Sequence, residues 1–406
     1  MLLWLLSWIE FHAADEVHAA DLGALGKITF RAALAALVSF VAAIALGPRL
    51  IGWLRRRFRE PIVSPSPRVR ELHQHKQWTP TMGGLFVVAG LLGALLMLGD
   101  LSNHYIPIVL FTLIGLAALG AVDDLIKLSG RSRGLSWRKK LAGQVAVGLV
   151  AALLLYGVQR RQPGGLELFV PLVGGVGNLG WLFVPLAALV IVASSNAVNL
   201  SDGLDGLAGG CLVTTTCALG VAAYASGHAG WAAYLGVPHL AGAGELVVVA
   251  AALVGAALGF LWFNCHPAQV FLGNTGSLPL GGVLGLMAVM IRQELWLTLA
   301  AGVFVVEAAS VILQVGWYRW RQRRIFLCAP LHHHFQFRGW PEDKIVVRFW
   351  IASVLCAVLG LATLKTRSTD TDALPRGTAQ SAAAHPNPSL DFADERTFVG
   401  ATESRR

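Results

Sequence analysis

Apolar and polar positions alternate along this chain in blocks, not residue by residue. Ten runs approach the roughly 20 apolar residues that a helix needs to cross a hydrocarbon core. They cover 29–47, 82–99, 105–122, 141–157, 180–198, 206–226, 245–263, 270–291, 295–318 and 345–364. The gaps sort by charge. The first carries Arg49, Arg55, Arg56, Arg57, Arg59, Arg68, Arg70 and Lys76, and the third carries Lys127, Arg131, Arg133, Arg138, Lys139 and Lys140. The ninth holds Arg319, Arg321, Arg323, Arg324, Arg338 and Lys344, whereas even gaps offer little beyond Arg160, Arg161 and Arg292. Basic loops stay inside, so odd gaps are expected in the cytoplasm and, with ten spans, both termini outside. The expectation is an all-α polytopic integral membrane protein. It comprises an N-terminal segment (1–28), a membrane domain (29–365) and a disordered tail (366–406) rich in Ser, Thr, Ala and Pro.

Composition narrows the class. The chain is 55% hydrophobic and 14% charged, against about 25% charged in soluble domains. Its net charge of +9 suggests nucleic acid at first, but the basic residues lie between apolar runs, as topology demands. No nucleic-acid partner is expected. Met1–Ile9 lacks a basic leader and runs into Glu10 and Asp15, unlike a cleaved signal. Five cysteines at no metal-ligand spacing read as small hydrophobic residues. Glycines such as Gly83, Gly84, Gly90, Gly93, Gly281, Gly282 and Gly285 read as helix-packing residues.

Chemistry gathers on the basic side. Asp123 and Asp124 close the third span. Adjacent carboxylates repel, and at a helix C-terminus they also oppose the macrodipole. A solvated helix end would tolerate them, while a magnesium ion with phosphate would require them. Asn196, Asn199, Ser201, Asp202 and Asp205 join spans five and six. Asp202 and Asp205 share a face if helical, and Gly203 and Gly206 let backbone approach a ligand. Capping of span six accounts for one aspartate only. Asn264 precedes span eight, which opens on Phe271, Asn274, Thr275 and Ser277. This polar start suits interhelical hydrogen bonding or a ligand site. His332, His333 and His334 lie among arginines in the ninth gap. They have no zinc-like partner spacing and suit an anion such as a diphosphate; a casual histidine run remains the alternative. Glu307, inside span nine, is a buried carboxylate that either pairs with a neighbouring helix or functions.

These stretches together resemble the phospho-N-acetylmuramoyl-pentapeptide transferase family of the polyprenyl-phosphate N-acetylhexosamine-1-phosphate transferase superfamily. The resemblance rests on Thr79–Gly84, Val122–Asp124, Asn196–Gly206, Gly259–Asn264, Pro330–Phe335 and Gly339–Pro341, and it runs from about Phe30 to Lys365. The histidine loop with its following Gly-Trp-Pro favours the muramoyl-pentapeptide branch. The resemblance implies magnesium-dependent transfer of phospho-MurNAc-pentapeptide from UDP to undecaprenyl phosphate, giving lipid I and UMP in peptidoglycan synthesis. The setting would be a bacterial inner membrane, with the cleft on the cytoplasmic side and a homodimer among the expected partners. By carry-over, Asp123, Asp124 and His333 are catalytic, and Asp123, Asp124 and Asn274 hold Mg2+. Lys76, Thr81, Asn199, Asp202, Asp205, Asn264, Phe271, His332 and His334 bind substrate, with Phe271 against uracil.

Two positions depart from the family. Asn274 stands where the family has a metal-binding aspartate, and Trp78 stands where a glycine is usual. The alternatives are an inactive paralogue serving as a cell-wall scaffold, or a related transferase using another UDP-N-acetylhexosamine. A transporter would place its polar groups near the bilayer midplane; here they crowd one rim.

Overall fold

The computed structural model describes residues 26–57, 79–129 and 134–365. The N-terminal segment 1–25, Lys76, Trp78 and the tail from 366 lie outside the described residues. Thirteen α-helices appear among those described: α1 (Ile28–Arg57), α2 (Gly84–Leu98), α3 (Tyr105–Leu128), α4 (Trp137–Gln159) and α5 (Phe183–Ser201) come first. They are followed by α6 (Leu207–Gly227), α7 (Ala229–Leu235), α8 (Leu246–Asn264) and α9 (Asn274–Met290). The last are α10 (Glu294–Ala300), α11 (Gly302–Arg321), α12 (Leu331–Phe337) and α13 (Glu342–Ala362). Every expected span falls on helix, and the all-α polytopic class holds.

Among the described residues, length and apolarity qualify seven helices to cross a membrane, or eight if α10 and α11 count as one. The shorter α2 and α9 are apolar too. In α9 all 17 residues are buried, so protein surrounds this helix on every side. At about 1.5 Å per residue it is near 25 Å long. Lipid never has to be matched along it.

Two features depart from the expected pattern. Span nine is not one helix: it breaks at Ala301 and turns by 91°. Trp296 of α10 is pinned by its indole N–H to the Gly360 carbonyl of α13, 2.6 Å away. Gly302 then opens α11 against Cys356, where a Cβ would stand 2.7 Å from the sulfur. The second departure is an antiparallel hairpin, β1 (Glu167–Val170) and β2 (Gly174–Asn178), with Glu167 opposite Asn178. The glycine-rich β2 carries no alternation that would announce a strand.

Close helix contact depends on missing side chains. A Cβ on Gly120 of α3 would collide with the Asn274 carbonyl of α9, and one on Gly281 would lie 2.6 Å from the Ser194 carbonyl of α5. The packing reading holds for Gly84, Gly90, Gly281, Gly282 and Gly285, but Gly93 meets nothing within 4 Å. A buried ion pair ties the start of α1 to the start of α8. Arg31 donates to both oxygens of Glu245 at 2.6 and 2.9 Å, and Glu245 also accepts the Asp100 N–H at 2.7 Å. The five cysteines are free.

Replacing Gly120 with Ala should force α3 and α9 apart. We expect a fall of about 5 °C in the thermal midpoint in detergent. A midpoint unchanged within about 1 °C would argue against contact between these helices.

Candidate active site

The two carboxylates of α3 lie one turn inside its end, and both are buried: Asp123 is 3% exposed and Asp124 1%. Their repulsion is met by a lysine one turn on. Lys127 Nζ lies 3.0 Å from Asp123 Oδ2 and 3.2 Å from Asp124 Oδ1, the i,i+4 and i,i+3 spacings that put charges on one helix face. Lys140, at the start of α4, stands 4.0 Å from Asp123. The remaining oxygens receive backbone. Asp123 Oδ1 accepts the Leu135 N–H at 2.6 Å. Asp124 Oδ2 accepts the Thr275 N–H at 2.9 Å and its hydroxyl at 2.8 Å. Thr275 is in the first turn of α9, so Asp124 faces the positive end of a neighbouring helix dipole.

That helix start is positioned by an extended pairing of two loops. Phe271 N–H donates to the Pro80 carbonyl, and Gly83 and Gly84 donate back to Phe271 and Leu272, each at 2.8 Å. Gly273 has φ +71°, and a Cβ there would stand 2.8 Å from Asp124 Oδ2 and 2.9 Å from the Thr81 hydroxyl. Only glycine fits this approach without strain. The pairing delivers Asn274 between the acids and α5. Its amide N–H donates to Asp123 Oδ2, and its carbonyl accepts from Asn199 at 2.5 Å. Asn199 also reaches Ser277 at 2.7 Å. An aspartate at 274 would face Asp123 with like charge; the amide meets it with a hydrogen bond.

The turn after α5 holds the other acids. Asp205 does not cap α6, whose N-cap is Gly206 at φ +79°. Its carboxylate instead contacts His266 Nδ1 at 3.1 Å and accepts the Ala268 N–H at 3.0 Å. Its own N–H donates to Glu342 at 2.8 Å. Asn264 ties two main-chain segments, accepting from Gly206 N–H and donating to the Val270 carbonyl at 2.9 Å each. Asp202 makes no side-chain hydrogen bond among the described residues and opens toward the cavity alone. Burial pushes its carboxyl up to about 7, and the charges of Asp124 and Asp205 act in the same direction.

All of this encloses a cavity of about 350 Å³ lined by Thr81, Asp124, Lys127, Asn199, Asp202–Asp205, Asn264, Phe271, Gly273 and Asn274. Asp123 sits directly behind it through Asn274 and Lys127. The expected residues from four separate gaps therefore meet at one end of the bundle. The histidines do not line the cavity. His332 is fully buried against its wall, where a Cβ on Gly203 would collide with Nε2. His333 turns to Gln336 at 2.7 Å. His334 Nδ1 accepts the Leu327 N–H at 3.1 Å, and desolvation and Arg338 hold its imidazole below the usual histidine range. Lys76, expected to touch substrate, is outside the described residues. Lys127, Lys140, His266 and Glu342 belong to the site without having been named as site residues. Only Lys127 carried a legible signal, its spacing from the aspartates.

An acid whose folded pKa lies above its unfolded value costs stability as pH rises between the two. For Asp202 that window runs from 3.8 to about 7. In EDTA, Asp202→Asn should melt about 3 °C above the parent at pH 8 and show a smaller gain at pH 5. An equal difference at both pH values would remove the ionisation argument.

Residues 106–292 match the family model described as Glycosyl transferase family 4. The stretch begins in α3 and contains both α3 aspartates, the Asn199–Asp205 turn, Asn264 and Asn274, while the histidine loop lies beyond it. The family supports transfer of a phospho-sugar from a UDP carrier to a polyprenyl phosphate. The matched core holds the buried acid pair and most of the cavity, and over it the chain is similar to Glycosyl transferase family 4.

Proposed function

We propose that the chain transfers phospho-MurNAc-pentapeptide from its UDP carrier to undecaprenyl phosphate, producing lipid I and UMP at the cytoplasmic face of a bacterial inner membrane. The observation that carries this reading is a polar cavity and an apolar groove sharing one helix. Asn199 of α5 lines the polar cavity. Val190, Ala197 and Val198 of the same helix line a groove of about 300 Å³, closed opposite by Leu297, Phe304 and Ile312 of α10 and α11. A polyprenyl tail fits the groove, with its phosphate delivered to the cavity at the C-terminal end of α5. The histidine loop supports the muramoyl branch: Phe335 stacks on Trp340 at 4.7 Å, which folds the Gly-Trp-Pro turn back onto that loop.

A phosphate attacking a diphosphate brings two anions together, so charge neutralisation and alignment dominate the barrier. Lys127 and Lys140 supply fixed positive charge beside the acids. The lipid phosphate, with a second ionisation near pH 6, is about nine-tenths dianionic at neutral pH. It needs little help from a base, which makes Asp123 and Asp124 positioning groups. Their hard oxygen donors suit Mg2+, and the Asn274 carbonyl, held here by Asn199, would join them once that amide turned. The ion would be held by these three residues and would offset the repulsion between the anions. Asp202, open to the cavity, and Thr81 and Phe271 would face the nucleotide.

Assaying UMP release with undecaprenyl phosphate and either UDP-MurNAc-pentapeptide or UDP-GlcNAc tests the substrate. Product is expected with the first only. Product with the second alone would move the chain to another branch, and none with either would indicate a scaffold. Asp124→Asn should lower kcat about 100-fold or more.

The amide at 274 is expected to weaken the demand for metal. In EDTA, Asn274→Asp should lower the thermal midpoint, and Mg2+ should recover more of it than in the parent. Equal responses in the two proteins would mean that position 274 is no metal ligand.

A further inference from the structure

The broken span carries a carboxylate that the chemistry above does not use. Glu307 of α11 is fully buried, and three donors of the histidine loop converge on it. Its Oε2 accepts the Leu331 N–H at 2.9 Å and faces His332 Nδ1 at 3.1 Å. Its Oε1 accepts the His332 N–H at 3.1 Å. A carboxylate opposite Nδ1 fixes the proton on that nitrogen and locks the ring plane. The other nitrogen, Nε2, is buried and without a partner among the described residues. It presses on Gly203, where any Cβ would collide with it. Gly203 stands between Asp202 and Asp205 in the cavity wall. The ring therefore sets where that turn can lie.

Glu307 also stands on the helix that closes the apolar groove. Phe304, Val305, Ala308 and Ala309, on both sides of it in sequence, line the groove. A shift of α11 on filling the groove would reach Gly203 through only two side chains. We propose that Glu307, acting through His332, is a positioning residue for the Asp202–Asp205 turn, and that it couples occupancy of the groove by a polyprenyl chain to nucleotide binding in the cavity. This rests on the functional reading above and deepens it. Coupling of this kind is reciprocal, and its usual size is about 5-fold or more in affinity.

The test uses UMP and undecaprenyl phosphate, the product nucleotide and the acceptor lipid, which together cannot turn over. UMP binding to the full chain in detergent is measured by calorimetry with and without the lipid. The parent should bind UMP about 5-fold more tightly with lipid present. Glu307→Gln, similar in volume but uncharged, should lose that factor. Glu307→Asp should retain part of it, a rescue that a general loss of folding would not give. Gly203→Ala should weaken UMP binding in both conditions. If the parent binds UMP equally with and without lipid, or if Glu307→Gln keeps the full factor, the coupling is overturned while the transferase reading stands. If the parent binds no UMP at all, that reading falls and the coupling with it.

Discussion

Two adjacent carboxylates are kept out of water at the end of α3, and the rest of the site is arranged to make that tolerable. Isolated charges in such a place would cost several kcal/mol each. Here Lys127 bridges the pair, the α9 N-terminus meets Asp124, and Asn274 meets Asp123. Lys127 comes from α3 itself and Asn274 and Thr275 from the first turn of α9, so the acid pair and the packing of α3 against α9 stand or fall together. Gly120 and Gly273 matter for the same reason: they let the two backbones approach until the oxygens are reached.

The segment pattern made the spans and their shared rim readable, because a bilayer forces apolar length and charge asymmetry into the primary structure. The acid pair and the Asn199–Asp205 turn were readable for a related reason: polar side chains beside apolar runs have few structural excuses. What escaped was tertiary. The break at Ala301 falls among apolar residues and leaves no mark in the sequence, while the Trp296 contact that accompanies it is made to another helix. Hairpin strand β2, three of whose five residues are glycine, had no periodicity to read. Asp202 and Asp205 read as sharing a face, yet the partners that fix Asp205, His266 and Ala268, lie about sixty residues away. The histidine triplet read as one unit; the fold splits it three ways, with one ring against the cavity wall and two turned to local partners.

Asn274 shows how a departure from a family pattern can be coherent with its surroundings. Replacing an aspartate by an amide leaves one negative charge fewer among Asp123, Asp124 and Asp202. The amide also uses both of its faces, donating to Asp123 and accepting from Asn199. Protein groups thereby tie the acid cluster together, with Lys127 supplying a cation.

The location of the site follows from the two solvents the substrates need. A nucleotide diphosphate must come from water and a polyprenyl chain from lipid, so the reacting phosphates can meet only where the phases adjoin. Helix ends are where this fold can offer both. The side of α5 facing α10 and α11 is apolar but for Ser194 up to Val198, and the next residue, Asn199, already belongs to the polar cavity. One peptide bond separates the two environments. A polar site deeper in the bundle would strand the nucleotide in hydrocarbon, and one further out would leave the lipid phosphate short of it. The rim is the one depth that serves both partners, and it is where the sequence gathers its carboxylates, amides and lysines.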